Sequence, residues 1–454
     1  MKKYDVVIIG AGPSGIIVGV TGKKQNPEKK FLMITERPKG LVPCGIPYLF
    51  HDLDDVSKNA MGPKSFVDAG GELWIDRVNE LNPDEKILKT ENGEIVKFDK
   101  LVFATGSIPT VPSFIEGYDL ENVLYIKKDY DYIAQAMEVT RKSQNIIVIG
   151  GGFIGVEVAE QLAKFTDKTV SLVEMEDHCL SRAFSAQLTE KSDELIANCG
   201  VNLYCGKKVN KIIGEARKVV GVELSDGTKL VADAVIASIG YKPNTDLARE
   251  GGLGINAHNA INCDNYLRTN KKDIYAVGDC SSTSGFITGR TDNIMLASTA
   301  TAEARILGYN LFSISLIRNF PNTISVFSTE INHVAFASAG AIEQVAEEAQ
   351  IEYVVGSFTD VDRHPGSIAD TSKLHVKLVV SPGDGKIIGG EMFGGKTVGE
   401  LINVLALAIQ KQVTVYEMIG FQIGTHPLLT PAPTKYVLIK AAEMAIAAIR
   451  KGRN

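Results

Sequence analysis

A chain of 454 residues, 44% hydrophobic and 22% charged, has room for about three domains with buried cores. Its formal net charge of -6 supplies none of the cationic excess by which nucleic acid or an anionic membrane is held. No apolar run reaches the ~18 residues of a membrane helix.

In chain order, YDVVIIG (4–10) reads as a fully buried parallel strand, followed by the glycine turn GAGPSG, a helix into Val20, and a second strand, KFLMITE, ending at Glu36. Lys2 and Lys3 ahead of the uncharged stretch Val6 to Gly22 superficially resemble a signal peptide. Asp5 and the glycine spacing favour strand, turn and helix instead. FDKLVFATGSIP (98–109) is a further strand stopped by glycine and proline. At Asn145 the pattern restarts: NIIVIGGG, a helix over FIGVEVAEQLAKF, and the strand TVSLVE ending at Glu174. ADAVIASIG ends at Gly240, and KKDIYAVGDC is a strand ending at Gly278-Asp279. A helix is predicted over ASTATAEARILGYNLF (297–312). Beyond Pro321 the texture changes to strands (KLHVKLVV, KIIGGEMFG) and the helix VGELINVLALAIQKQ, whose Leu401, Val404, Leu405 and Ala408 form one face.

The two glycine loops carry the chemistry. Gly10, Gly12 and Gly15 in the first, and Gly150, Gly152 and Gly155 in the second, let backbone amides approach a pyrophosphate at a helix N-terminus. Glu36 and Glu174, each at the end of the next strand, are placed to accept hydrogen bonds from ribose hydroxyls. A carboxylate repels a 2′-phosphate, so Glu174 predicts NADH in preference to NADPH. Two dinucleotides on one chain imply electron transfer between them. The six cysteines show no CxxC and no metal spacing, so they read as reduced thiols of a cytoplasmic protein, and no metal is expected.

The succession GAGPSG, ATG (Ala104, Thr105, Gly106), GGGFIGVE, IGYKPN and YAVGDC resembles the FAD-dependent pyridine nucleotide–disulfide oxidoreductases over essentially the whole chain. The resemblance implies an α/β protein with two Rossmann-like, doubly wound nucleotide-binding domains plus a C-terminal α+β dimerisation domain. It implies FAD on the first cradle in 1–115 and 245–322, NAD(P)H on the second in 116–244, and dimerisation through 323–454. The implied cofactor-binding residues are Gly10, Gly12, Pro13, Ser14, Gly15, Glu36, Arg37, Ala104, Thr105, Gly106, Gly278, Asp279, Gly150, Gly152, Phe153, Ile154, Gly155, Glu157, Glu174 and Gly240. Among them Asp279 matches the ribityl contact, Phe153 the aromatic that gates nicotinamide access, and Glu157 an acid buried near the nicotinamide. Without the resemblance, Phe153 reads as a core aromatic and Glu157 as a solvated charge.

Dithiol members carry CxxxxC beside the flavin; here Cys44 stands in LVPCGIPYLF with Leu49 at the second position. This resembles the single-cysteine branch of coenzyme A–disulfide reductases, NADH oxidases and peroxidases, and persulfide reductases. A lone thiolate can attack a substrate disulfide or persulfide, and a helix start would favour the thiolate. The other five cysteines read as packing. His426-Pro427 resembles the proton-carrying His-Pro of dihydrolipoamide dehydrogenase, but Pro431 stands where that family has an orienting glutamate. His426 is thus expected either as an acid–base reaching Cys44 across a dimer interface or as a loop cap. His364 in DRHPGS reads as a solvated loop residue, with the substrate entrance as the alternative. The expected function is NADH-dependent reduction of a small disulfide, persulfide or polysulfide through Cys44. The alternatives are an NADH oxidase using oxygen and a low-turnover flavoprotein sensor or scaffold. The first glycine loop lacks the histidine of many oxidases and peroxidases.

Overall fold

The computed structural model describes residues 1–292, 294–317 and 322–452. Pro321, where the sequence texture changes, and residues 453–454 lie outside them.

The first sheet has seven strands. Glu72–Ile75, Phe31–Thr35, Lys2–Ile9, Ile95–Phe103 and Ile274–Ala276 run parallel, and an antiparallel pair, Ile87–Thr90 and Val78–Asn82, extends one side. Val6 and Ile8 face one core, Val7 and Ile9 the other, and all four are at least nine-tenths buried. A strand buried on both faces needs an unbroken apolar run, as VVII provides. The Pro13–Gln25 helix crosses the Ala297–Asn310 helix at glycines. A Cβ on Gly22 would meet Leu311 at 2.7 Å, and one on Gly308 would meet Thr21 at 2.6 Å.

Between Phe103 and Ile274 the chain builds a second, all-parallel sheet of five strands, in the order Val123–Tyr125, Ala234–Ala237, Asn145–Ile149, Thr169–Val173 and Val201–Tyr204. The Ala234–Ala237 strand is shorter than ADAVIASIG suggested. A three-stranded antiparallel sheet over Val209–Glu215, Lys218–Leu224 and Lys229–Val231 lies beside it and was not foreseen.

The C-terminal part is an antiparallel sheet of five strands. Its strands Lys373–Val380 and Ile387–Gly394 fall where the alternating runs lie, and the helices Val398–Gln410 and Val437–Gly452 share its core. Leu401, Leu405 and Ala408 are buried and Val404 is half-buried, as one helical face requires. Among the described residues no helix is long and apolar enough to cross a membrane.

Candidate active site

Both glycine loops place a helix N-terminus without its own cap. Gly12 precedes Pro13–Gln25 and Gly152 precedes Phe153–Ala163, neither helix has a side-chain N-cap bond, and neither has an acid in its first turn. Their first amides therefore remain available to an anion. Gly10 has φ +108° and Gly150 φ +105°, and added Cβ atoms would run into the Ala104 and Ser238 carbonyls. Gly15 and Gly155 lie against the carbonyls of Gly10 and Gly150, whereas a Cβ on Gly12 or Gly152 meets nothing within 4 Å. Each loop is thus closed behind and open in front, as a cradle for a bound pyrophosphate must be.

The first loop opens on a cavity of about 1450 Å³, larger than the ~300–1,000 Å³ of an ordinary small-molecule site. Gly10, Gly12, Pro13, Ser14, Glu36, Arg37, Ala104, Thr105, Gly106 and Asp279 line it, and so do Cys44, Phe153, Ile154 and Glu157. Gly278, at φ +76°, backs this loop against Ser14. The sequence did not disclose the partners that hold these groups. Arg77 reaches Glu36 at 3.6 Å, and Arg37 pairs with Asp129 at 2.8 Å. Lys128 donates to Asp279 and to Ser107, both at 2.7 Å, and Ser107 donates to the same Asp279 oxygen. Lys128 and Asp279 are 151 positions apart, so no local pattern marks the pair. The cradle, its acid and the hydrogen-bonded Asp279 suit FAD in size and polarity.

Cys44 is carried by two short 3₁₀ turns, Pro43–Gly45 and Pro47–Phe50. Ile46, Leu49 and Phe50 are buried in the same core as Val156, Ala159 and Leu162 of the second cradle's helix, which anchors the turn. The thiol is left open to the cavity, and Leu49, in the second-cysteine position, is 1% exposed. The expectation that a helix start favours the thiolate needs correction. Burial and Glu157, with a smaller push from Asp279, raise the Cys44 pKa, and Lys128 opposes them only in part. The three-residue turn that carries Cys44 aligns too few peptide dipoles to reverse this.

Phe153 stacks on Phe327 with ring centroids 5.4 Å apart and meets Phe184 edge-on at 6.0 Å. One turn on, Glu157 is not a solvated charge. Burial, with Glu160 adding to it, pushes its pKa up to about 7 even though Thr329 donates to it at 2.9 Å. Glu157 therefore exchanges its proton near neutral pH, within electrostatic reach of Cys44.

At the second cradle Glu174 accepts hydrogen bonds from the Gly151 and Glu176 amides. Gly240 stands at φ +102° with open space before it. Gly150, Gly152, Gly155, Glu174 and Gly240 are not part of the large cavity's lining; Phe153, Ile154 and Glu157 extend from their helix into it.

His426 does not line the cavity with Cys44 in a single chain. It is exposed in a loop, where its Nδ1 accepts from the Leu428 amide at 3.3 Å. That bond leaves the neutral ring's proton on Nε2, the tautomer opposite to the one a carboxylate accepting from Nδ1 would set. His364 is half-buried, and its Nδ1 donates to the Thr430 carbonyl at 2.8 Å, bracing the His426 loop.

Comparison with known proteins agrees with this geometry. Residues 4–304 match the pyridine nucleotide-disulphide oxidoreductase family, and 326–437 match its dimerisation domain. An NADH oxidase of Enterococcus faecalis is 27% identical over 427 residues, covering 91% of this chain and 93% of that protein. An NAD(P)H coenzyme A polysulfide/persulfide reductase of Pyrococcus horikoshii is 29% identical over 414 residues, covering 90% of this chain and 91% of that protein. The structure of an NAD-dependent persulfide reductase from A. fulgidus superposes with a TM-score of 0.89 at 27% identity, covering 98% of this chain and 84% of that chain. The cofactors are FAD and NADH. The chain belongs to the pyridine nucleotide-disulphide oxidoreductases.

Proposed function

We propose that this protein is an NADH-dependent reductase of a small disulfide, persulfide or polysulfide, acting through Cys44. The observation that carries the proposal is a single thiol open to the cavity of the first cradle, with a buried leucine where a second cysteine would close an internal disulfide. The relatives, reductases of polysulfide and persulfide among them, support it. FAD would be held by the first cradle, Glu36 and Asp279. When bound, it would take a hydride from NADH and return the electron pair to sulfur.

The chain's own groups do the rest. The Cys44 thiolate attacks a substrate sulfur, forming a mixed disulfide and releasing the other half as a thiolate. That thiolate takes a proton, and the donor we assign is the partner's His426, acting as the imidazolium and left neutral by the transfer. Glu157 receives the Cys44 proton as the thiolate forms, because its pKa of about 7 lies in the working range. Phe153 closes the path between the second cradle and the cavity until the nicotinamide displaces it. Glu174 selects NADH over NADPH. The three-part division at 1–115 with 245–322, 116–244 and 323–454, a homodimer and a cytoplasmic setting complete the proposal.

The opposing reading is NADH oxidation by oxygen. The raised Cys44 thiol and the oxidases among the relatives favour it. Anaerobic NADH turnover against coenzyme A disulfide, a persulfide and polysulfide, with oxygen assayed separately, decides between them. Cys44→Ser is expected to lower sulfur-acceptor turnover by at least about 10³-fold while NADH still bleaches the flavin. Unchanged turnover in that variant, or brisk turnover with oxygen alone, overturns the proposal.

A further inference from the structure

The strands Thr169–Val173 and Val201–Tyr204 run parallel, with Val173 opposite Tyr204, so their following loops leave the sheet side by side. One loop carries Glu174 and Cys179; the other begins at Cys205. The Cys179 and Cys205 sulfurs and an Asp193 carboxylate oxygen all lie within 4.8 Å of one another. Cys179 is buried and Cys205 half-exposed. The pair sits directly behind the second cradle. A Cβ on Gly151 would come to 2.6 Å from the Cys179 sulfur, and Leu180 donates to the Gly151 carbonyl at 2.8 Å. The second loop holds the first by two further bonds, from the Gly206 amide to Glu176 at 2.8 Å and from the Lys207 amide to Glu174 at 3.0 Å.

We propose that Cys179 and Cys205 form a reversible disulfide that weakens NADH binding at the second cradle. The oxidant is a small-molecule disulfide. The accessible Cys205 thiolate attacks it, giving a mixed disulfide and one thiol. The Cys179 thiolate then attacks the Cys205 sulfur, forming the internal bond and releasing the second thiol. Two cysteine thiols are oxidised, one external disulfide is reduced, and both cysteine protons leave on the released thiols. A disulfide holds its sulfurs about 2.05 Å apart, so closure draws Cys179 off the face of Gly151. Gly151 and Glu174, whose amide and carboxylate are hydrogen-bonded to each other at the second cradle, then lose their backing.

The inference rests on NADH occupying the second cradle, not on the identity of the acceptor. The test uses FAD-loaded protein in a Cys44→Ser background, so that the cavity thiol takes no part. The protein is treated with hydroxyethyl disulfide, cleared of reagent, and digested without reductant for mass spectrometry. In parallel the concentration of NADH giving half-maximal rate of flavin bleaching is measured before treatment, after it, and after dithiothreitol. A Cys179–Cys205 peptide pair is expected, with that concentration raised at least about fivefold and restored by thiol, the lower end of ordinary coupling between sites. Adding Cys205→Ser or, separately, Cys179→Ser is expected to abolish the response while the flavin is still bleached. Three results overturn the inference: a mixed disulfide on Cys205 without the cross-link, a cross-link with unchanged NADH dependence, or one zinc ion per chain retained with both thiols protected. If NADH fails to bleach the flavin even before treatment, the proposed function is what fails.

Discussion

Glu157 is linked electrostatically to the cavity thiol of Cys44. Its carboxyl is pushed from an ordinary 4.5 to about 7, chiefly because the Phe153–Ala163 helix and the Thr329 strand enclose it. The folded protein therefore binds this proton more tightly than the unfolded chain does. The resulting stability is fully present below about pH 4.5 and is lost as the pH rises through about 7. Glu157→Gln keeps a partner for Thr329 and does not titrate. It is expected to melt at the wild-type temperature, within error, at pH 5 but above it at pH 8. The gain is at most about 3 kcal/mol, at about 1.4 kcal/mol per pH unit. The same substitution removes a charge that raises Cys44, so the pH midpoint for alkylation of Cys44 by iodoacetamide is expected to fall. An equal or higher midpoint would show that Glu157 and Cys44 do not communicate. The motif IGVE made Glu157 visible in the sequence, but its proton affinity was not, because that comes from burial against elements as distant as the strand of Thr329, 172 positions away. The same holds for Lys128 against Asp279, and for the Leu428 amide that settles the His426 tautomer. Residue types could be read from motifs; their electrostatics depend on neighbours that only folding supplies.

At the level of elements, close contact between the Pro13–Gln25 and Ala297–Asn310 helices joins the cradle to a segment nearly 300 positions later. Gly22 and Gly308 permit that approach, since each would place a Cβ well inside contact distance of the other helix or its flank. Gly308→Val is expected to spread the two helices and destabilise the FAD-side unit by about 1–3 kcal/mol, the usual cost of overfilling a tight contact. Thermal unfolding with and without added FAD measures it, and an unchanged melting temperature would show that the crossing is loose. The buried parallel strands were legible because unbroken apolar runs between glycine turns have few other uses. The hairpin sheet at 209–231 was not. Its strands carry Lys211, Glu215, Lys218 and Glu223, and the surface they present to solvent erases the apolar signal. The Val437–Gly452 helix did carry a pattern, with Val437, Leu438, Ala441, Ala442, Ala445 and Ile449 all buried. The turns at Cys44 are a different case. Two prolines within five residues hold 3₁₀ geometry where the sequence suggested a helix start.

The whole molecule is tied together by a buried ionic cluster. Lys377 of the C-terminal sheet pairs with Glu343, and with Glu391 at 2.9 Å, and it donates to Ser185 at 2.9 Å. Ser185 belongs to the second unit, and its amide donates to Glu391 at 2.6 Å. Ile331 and Phe336 of the C-terminal sheet enter the same core as the Cys44 turn and the second cradle's helix. The C-terminal part is therefore fixed against the machinery that would hold NADH, yet its own histidine points elsewhere. His426 is flanked by exposed Phe421, Leu428 and Leu429, within the span that matches the dimerisation domain. An apolar loop of this kind, braced by His364, is suited to docking on a second copy rather than on its own cavity. If one subunit's His426 serves the other's Cys44, then Cys44→Ser and His426→Ala proteins, each deficient alone, must complement. In a mixed dimer one site receives both native residues and the other receives neither. Random exchange of equal amounts through mild denaturation and refolding is therefore expected to restore about a quarter of wild-type activity per site, since half the dimers are mixed and each holds one intact site of two. Unmixed controls treated identically should recover none. Failure to complement, with mixed dimers demonstrated by a size tag, would place the proton donor within the same chain and return His426 to the role of a loop cap.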